Sequence, residues 1–158
     1  MKTSTSVLLP AIALIVITLF VACNSKKQPA NSQTMSETDR YYSAMSAKEG
    51  MNAAFLAMFD SAGVMLNANH WPIVGYDSIR ASLLAESDTA FTLTWEPLFE
   101  KMAASGELGY TYGTYQLKDK ASDSLMGVGK YATIWIKQPD GTWKAILDTG
   151  NPGLGEKK

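Results

Sequence analysis

Apolar and polar positions change their period several times along the chain, and each change marks an element. The chain opens with an apolar run from Val7 to Ala22, interrupted only by Pro10 and Thr18. Asn24 to Gln33 (NSKKQPANSQ) is polar, charged and carries Pro29, which reads as a flexible tether. Helical spacing begins near Ser36, where Ser36-x-x-Asp39 has the form of a capping box, and continues through Tyr42 and Met45. Gly50 interrupts it. A second helix is predicted with Met51, Phe55, Met58 and Phe59 on one face. Val64-Met65-Leu66 is too short for a helix and reads as a strand, followed by the polar, aromatic loop Asn69-His70-Trp71-Pro72 and by Ile73-Val74. A third helix is expected from about Ser78 to Glu86, with Ile79, Leu83 and Leu84 facing inward.

Beyond that helix the period falls from near 3.6 to 2. Phe91, Leu93 and Trp95 alternate with Thr92, Thr94 and Glu96, and Pro97, lacking an N–H, marks an edge or a bulge. Ser105-Gly106 turns the chain into a strand with Leu108, Tyr110 and Tyr112. Tyr115 and Leu117 take the opposite parity, which predicts a bulge beside Gly113. Gly129 to Lys137 places Tyr131, Thr133 and Trp135 on one face and Ala132, Ile134 and Ile136 on the other, the pattern of a central strand covered on both sides. Pro139-Asp140-Gly141 is a hairpin turn: Pro presets φ, Asp bonds locally and Gly accepts positive φ. A last strand runs from Trp143 to Asp148 and stops at Gly150-Asn151-Pro152. The order α-α-β-β-α-β-β-β-β, without internal repeats, predicts an α+β fold in which a strongly bent antiparallel sheet wraps a helix.

Composition narrows the function classes. All fifteen acidic residues and thirteen of the fourteen basic ones follow Ala22, so that part carries a net charge near −2. This leaves no electrostatic footprint for a nucleic acid, and Lys26-Lys27 is too small a cluster to supply one. One histidine, His70, and one cysteine, Cys23, make a zinc or haem site of ordinary type improbable, and no cofactor is expected. Gly150-x-x-Gly153-x-Gly155 has no strand-to-helix turn around it and is no phosphate loop.

The beginning of the chain resembles a bacterial lipoprotein signal. Lys2 supplies the positive start, the apolar run follows, and Val21-Ala22-Cys23 resembles a lipobox, although Phe20 stands where leucine is usual. At about sixteen residues the run falls short of the roughly 20 that cross a bilayer as a helix. The resemblance implies cleavage before Cys23, thioether lipidation of Cys23 and anchoring to a membrane. The location would be the periplasmic side of a bacterial cell envelope, with Asn24 favouring the outer membrane. The organisation expected is then a signal peptide at 1–22, the lipidated cysteine and tether at 23–35, one domain at 36–151 and a frayed tail at 152–158.

Within that domain an ordered set of short pieces carries a second resemblance. Lys48-Glu49-Gly50-Met51, Ala54-Phe55-Leu56, Pro72-Ile73-Val74-Gly75, Gly109-Tyr110-Thr111-Tyr112-Gly113-Thr114-Tyr115, Gly129-Lys130-Tyr131 and Asp140-Gly141-Thr142-Trp143-Lys144 stand together as in the nuclear transport factor 2-like superfamily. The chain resembles its ketosteroid-isomerase-like and polyketide-cyclase-like branch. The resemblance implies a cystatin-like cone enclosing an apolar cavity, and homodimerisation through the outer face of the sheet. It does not fix an activity, because the same cone serves isomerases, dehydratases, cyclases and simple binders.

The isomerases carry a carboxylate base in the strand before the Pro-x-x-Gly segment. Counted back from Gly75 that position falls on Leu66, and a one-residue gap brings Asn67 there; neither accepts a proton. Steroid-isomerase chemistry of that design is therefore not expected. Two other residues could act as acid or base. Asp148 ends an apolar strand, and in a cavity its pKa would rise; in the plainer reading it caps the turn at Gly150-Asn151 or pairs with Lys144 or Arg80. His70 is a candidate because an imidazole is the side chain best suited to act as a general base near neutrality, but a loop histidine is more often simply hydrogen-bonded. Aromatic residues at alternating spacing build sheets before they build sites. Trp71, Trp95, Tyr112, Tyr131 and Trp135 are nonetheless the candidates to line a pocket, with Asp148 as polar anchor and His70 at the mouth. The function expected is the binding of a small, largely apolar molecule. The alternatives are a hydratase, cyclase or isomerase using Asp148 with His70 or a tyrosine, and an interaction module with a filled cone.

Overall fold

The computed structural model describes residues 34–156. The expected signal sequence, Cys23 and the expected tether as far as Gln33 lie outside the described residues. Three helices, α1 (Met35–Glu49), α2 (Met51–Met58) and α3 (Tyr76–Leu84), accompany six strands: β1 (Phe59–Leu66), β2 (Ile73–Val74), β3 (Phe91–Met102), β4 (Leu108–Asp119), β5 (Leu125–Lys137) and β6 (Trp143–Pro152). Their order along the chain is the one the periodicity predicts. The strands form one sheet in the order β2-β1-β6-β5-β4-β3. All neighbours are antiparallel except β1 and β6, which run parallel. No helix among the described residues is long and apolar enough to cross a membrane.

The helix α1 lies along β3 and against α2, on the inner face of the sheet. Its buried stripe is Met35, Thr38, Asp39, Tyr42, Ser43 and Ser46, a helical repeat that mixes apolar and polar groups. Ser46 Oγ donates to the Leu93 carbonyl at 2.7 Å, and Ser43 Oγ accepts from the Trp95 N–H at 2.8 Å. These bonds use backbone groups on the edge strand β3 that would otherwise lack a partner. The cap differs from the expected one. Thr34 is the N-cap and forms the box with Glu37, while the Ser36 N–H is taken by Glu100 at 2.7 Å and Asp39 faces the sheet.

Half of the cone is filled. At the end where α1 begins, Met35, Tyr42, Trp135 and Trp143 are buried, and Tyr42 stacks on Trp135 with ring centroids 6.3 Å apart. Ile79 and Leu83 of α3 turn inward as expected, whereas Leu84 is exposed, because one residue beyond Leu83 and five beyond Ile79 it lies off the face those two define.

Two bulges set which residues face inward. Pro97 pairs with Gly113 and Phe99 with Tyr112, so the extra residue is Leu98 of β3. The predicted phase shift in β4 is absent. Its pairing with β5 is regular from Leu108 to Leu117, with Gly109, Thr111, Gly113, Tyr115 and Leu117 inward and Leu108, Tyr110 and Tyr112 outward. In β6, Ala145 pairs with Trp135 and Leu147 with Ile134, which leaves Ile146 as the extra residue. The strand β5 is interior, but Ala132, Ile134 and Ile136 on its outer face are only half-buried.

Candidate functional site

The other half of the cone is open and holds a cavity of about 510 Å³, within the range of small-ligand sites. Each wall follows from the periodicity of one element. Along α2, positions 51, 55 and 58 recur at helical spacing, so Met51, Phe55 and Met58 share the face turned to the cavity. Phe91, Leu93 and Trp95 of β3 and Tyr115 and Leu117 of β4 form the opposite wall by strand alternation. Met65 and the residues after it, Asn67 and Ala68, close a third side beside Leu83. Leu66 is not part of the lining, whereas Met65 and Asn67 are, and neither of these carries a carboxylate.

The tyrosines are held flat by glycines. Gly113 pairs with Tyr131 and Gly129 with Tyr115. A Cβ on Gly113 would strike the Glu96 carbonyl oxygen and the Tyr131 ring, and one on Gly129 would strike the Asn151 carbonyl and the Tyr115 ring. Each ring therefore lies across the bare backbone of the neighbouring strand instead of standing into the cavity.

The floor contains two carboxyl groups in different situations. Asp39 is fully buried beneath it. Trp95 Nε1 donates to Asp39 Oδ1 at 2.5 Å and the Tyr131 hydroxyl to Oδ2 at 2.8 Å. The Thr111 hydroxyl also bonds it, and Thr111 accepts from Trp135 Nε1 at 2.9 Å. Burial lifts the Asp39 carboxyl to about 6, and the hydrogen bonds from Thr111, Tyr131 and Trp95 hold it from rising further. Burial and the neighbouring Asp39 carboxyl push the Tyr131 phenol well above its usual range, so it stays protonated and donates to Asp39.

Asp148 lies in the cavity wall opposite Thr133, its pairing partner in β5. Plain alternation from Trp143 and Ala145 would turn Leu147 inward; the extra residue Ile146 turns Asp148 inward instead. Thr133 Oγ1 donates to Asp148 Oδ1 at 2.6 Å, and the other oxygen accepts no hydrogen bond among the described residues. Burial lifts this carboxyl to about 7, against the pull of the Thr133 bond and with a smaller push from Asp39. Neither Lys144 nor Arg80 pairs with it: Lys144 Nζ donates to the Ala57 carbonyl at 2.5 Å. Among the described residues no cluster of His, Cys, Asp and Glu could hold a metal ion.

Of the residues singled out from sequence, Trp95, Tyr131 and Asp148 line the cavity. Trp135 shares their face but sits deeper, fully buried under Tyr42. Tyr112 is on the outer face because β4 has no bulge, and it stacks on Phe99 at 5.5 Å. Trp71, 90% exposed, and His70 sit in the loop after β1, outside the cavity lining, and His70 Nδ1 meets the Ala68 carbonyl at 2.9 Å. His70 is thus not brought to Asp148. The sequence spacing casts Asp39 as a capping residue, which conceals its inward position. Its place in the stripe with Tyr42 and Ser46 is the signal that could have found it.

With this geometry the chain can be set beside known structures. A ketosteroid isomerase-like protein from Erwinia carotovora atroseptica superposes with a TM-score of 0.54 at 14% identity, covering 72% of this chain and 93% of that one. A nuclear transport factor 2-like protein with a cystatin-like fold from Novosphingobium aromaticivorans gives 0.62 at 15% identity, over 77% and 80%. A protein from Catenulispora acidiphila in complex with S-DNPA gives 0.58 at 11% identity, over 73% and 89%. No protein-family model matches the sequence, and no curated protein does. The chain has the cystatin-like fold of nuclear transport factor 2-like proteins, with a half-open cone.

Proposed function

We propose that the domain binds a small, largely apolar molecule in the open half of its cone, with Asp148 as the polar anchor. The observation that carries this reading is the combination of a preformed apolar cavity with one inward carboxyl that has a single protein partner, Thr133. The complex of the Catenulispora protein with S-DNPA supports it by analogy of fold. The test is native mass spectrometry of protein purified from its own source, together with a thermal-shift screen of sterols, fatty acids, amines and aromatic polyketides. A co-purifying mass or a ligand-dependent shift is expected. Neither would leave the interaction-module reading in its place.

The same proposal includes the location and assembly. The lipobox-like Val21-Ala22-Cys23 supports a lipid-anchored protein on the periplasmic side of a bacterial envelope, in the outer membrane by virtue of Asn24. The exposed apolar residues Phe99, Leu108, Tyr110 and Tyr112 on the outer face support a homodimer through that surface.

A second reading, an enzyme of hydratase, cyclase or isomerase type, is favoured by the elevated Asp148 carboxyl, which is suited to proton transfer near neutrality. Tyr131 stands near it, but its hydroxyl is committed to Asp39. Turnover of a bound ligand that is lost in Asp148→Asn would establish this reading over simple binding.

A further inference from the structure

We propose, building on the ligand-binding reading above, that the cavity selects an apolar molecule bearing a basic nitrogen, whose ammonium group pairs with Asp148. The cavity lining contains one charged side chain, and it is this carboxylate; no Lys, Arg or His is among the lining residues. An anionic ligand such as a fatty acid would bring a second negative charge to a wall without a cation, so it is rejected.

The donors at the floor are already committed. The Trp95 indole and the Tyr131 hydroxyl point inward to Asp39, and the Thr133 hydroxyl points to Asp148. Around Asp148 itself the donors are thus taken, and the ligand must supply the hydrogen for its other oxygen; Asn67 and Tyr115, the remaining polar side chains of the lining, add no countercharge. A hydroxyl can do so but leaves a buried carboxylate charge uncompensated. An ammonium supplies both the hydrogen and the countercharge, and a charge-assisted bond is about twice as strong as a neutral one. Phe55, Phe91, Trp95 and Tyr115 line the space with aromatic rings, and a cation seated over a ring face would be attracted further. The elevated Asp148 carboxyl fits the same picture, since an anion without a countercharge is what burial disfavours.

The test uses one tricyclic apolar body with three polar ends: dehydroabietylamine, the corresponding primary alcohol, and dehydroabietic acid. Each is titrated calorimetrically into residues 24–158, the proposed mature chain without the lipidated Cys23, and into the Asp148→Asn variant of the same length. The amine should bind at least tenfold tighter than the alcohol, with the acid weakest, and Asp148→Asn should abolish the amine's advantage while the alcohol is retained. An alcohol or acid that binds the unmodified chain as tightly as the amine overturns the selectivity but leaves the binding cavity standing. An amine advantage that survives in Asp148→Asn overturns the role of Asp148. Failure of all three to bind a chain with an intact circular dichroism spectrum overturns both this inference and the ligand-binding reading. Should the variant fail to fold, the ranking on the unmodified chain decides.

Discussion

Asp39 and Asp148 differ in how completely their charge is satisfied, and that difference assigns their roles. Three side-chain donors surround Asp39, so it holds α1, β3, β4 and β5 together from beneath the cavity. Asp39→Ala would orphan the Trp95 indole, the Tyr131 hydroxyl and the Thr111 hydroxyl at once. A loss of roughly 2–4 kcal/mol in urea unfolding is expected. Asp148 has one donor and a free oxygen toward the cavity, the arrangement of a group that waits for a partner. Both carboxyls rise on folding from an ordinary 3.8, to about 6 and about 7. The folded state therefore holds protons that the unfolded chain has released. This contribution to stability is fully present below about pH 4 and disappears as pH rises through 6 and then 7. For Asp148 the rise from 3.8 to about 7 amounts to about 4 kcal/mol. In Asp148→Asn, unfolding measured at about pH 5 and about pH 8 should show most of that slope removed, with the gain in stability at the higher pH. An unchanged slope would mean that Asp148 is ionised in the folded state throughout.

At the scale of elements, the cavity depends on strand backbones that come close because two glycines carry no side chain. Gly113→Ala forces a methyl into the Glu96 carbonyl of β3, which is backbone and cannot yield, so a loss of about 2 kcal/mol or more is expected in denaturant unfolding. Gly129→Ala pushes the Tyr115 ring toward the cavity, so it should also weaken any ligand found there. The element order was legible from sequence because helix and strand periods differ and because Gly50, Pro97 and Pro139-Asp140-Gly141 mark changes of path. The facing of individual residues was less so. The aromatic residues on both faces of β4 imitate a phase shift; of the extra residues, Leu98 follows Pro97, which marks the bulge in edge strand β3, whereas Ile146 leaves no local mark and is defined by pairing with the neighbouring strand. For that reason Tyr112 could not be placed, and Asp148 could be named as a candidate without knowing that it turns inward. Trp95 and Tyr131 were placed because their strand segments alternate regularly. The parallel pairing of β1 with β6 was likewise invisible, since alternation does not encode strand direction.

For the whole molecule, the outer face of the sheet is the feature that a single copy leaves unfinished. Phe99, Tyr110 and Tyr112 form an exposed aromatic cluster there. Sedimentation of the mature chain should show a dimer that Tyr112→Lys converts to monomer with its circular dichroism unchanged; a monomer in the unmodified chain at high concentration removes the proposed interface. The proposed anchor is checked by mass spectrometry of the native protein, where a chain starting at Cys23 with a thioether-linked lipid is expected and an intact Met1 would refute it. The closed end of the cone then acquires a directional meaning. Thr34 and Met35 enter the domain beside Glu100 and Gly109, at the filled end, whereas Phe91, Leu117 and Pro152 border the cavity at the opposite end of their strands. On the lipoprotein reading, the membrane attachment approaches the domain from behind. A molecule entering or leaving would then use a mouth at the end of the domain remote from its point of attachment.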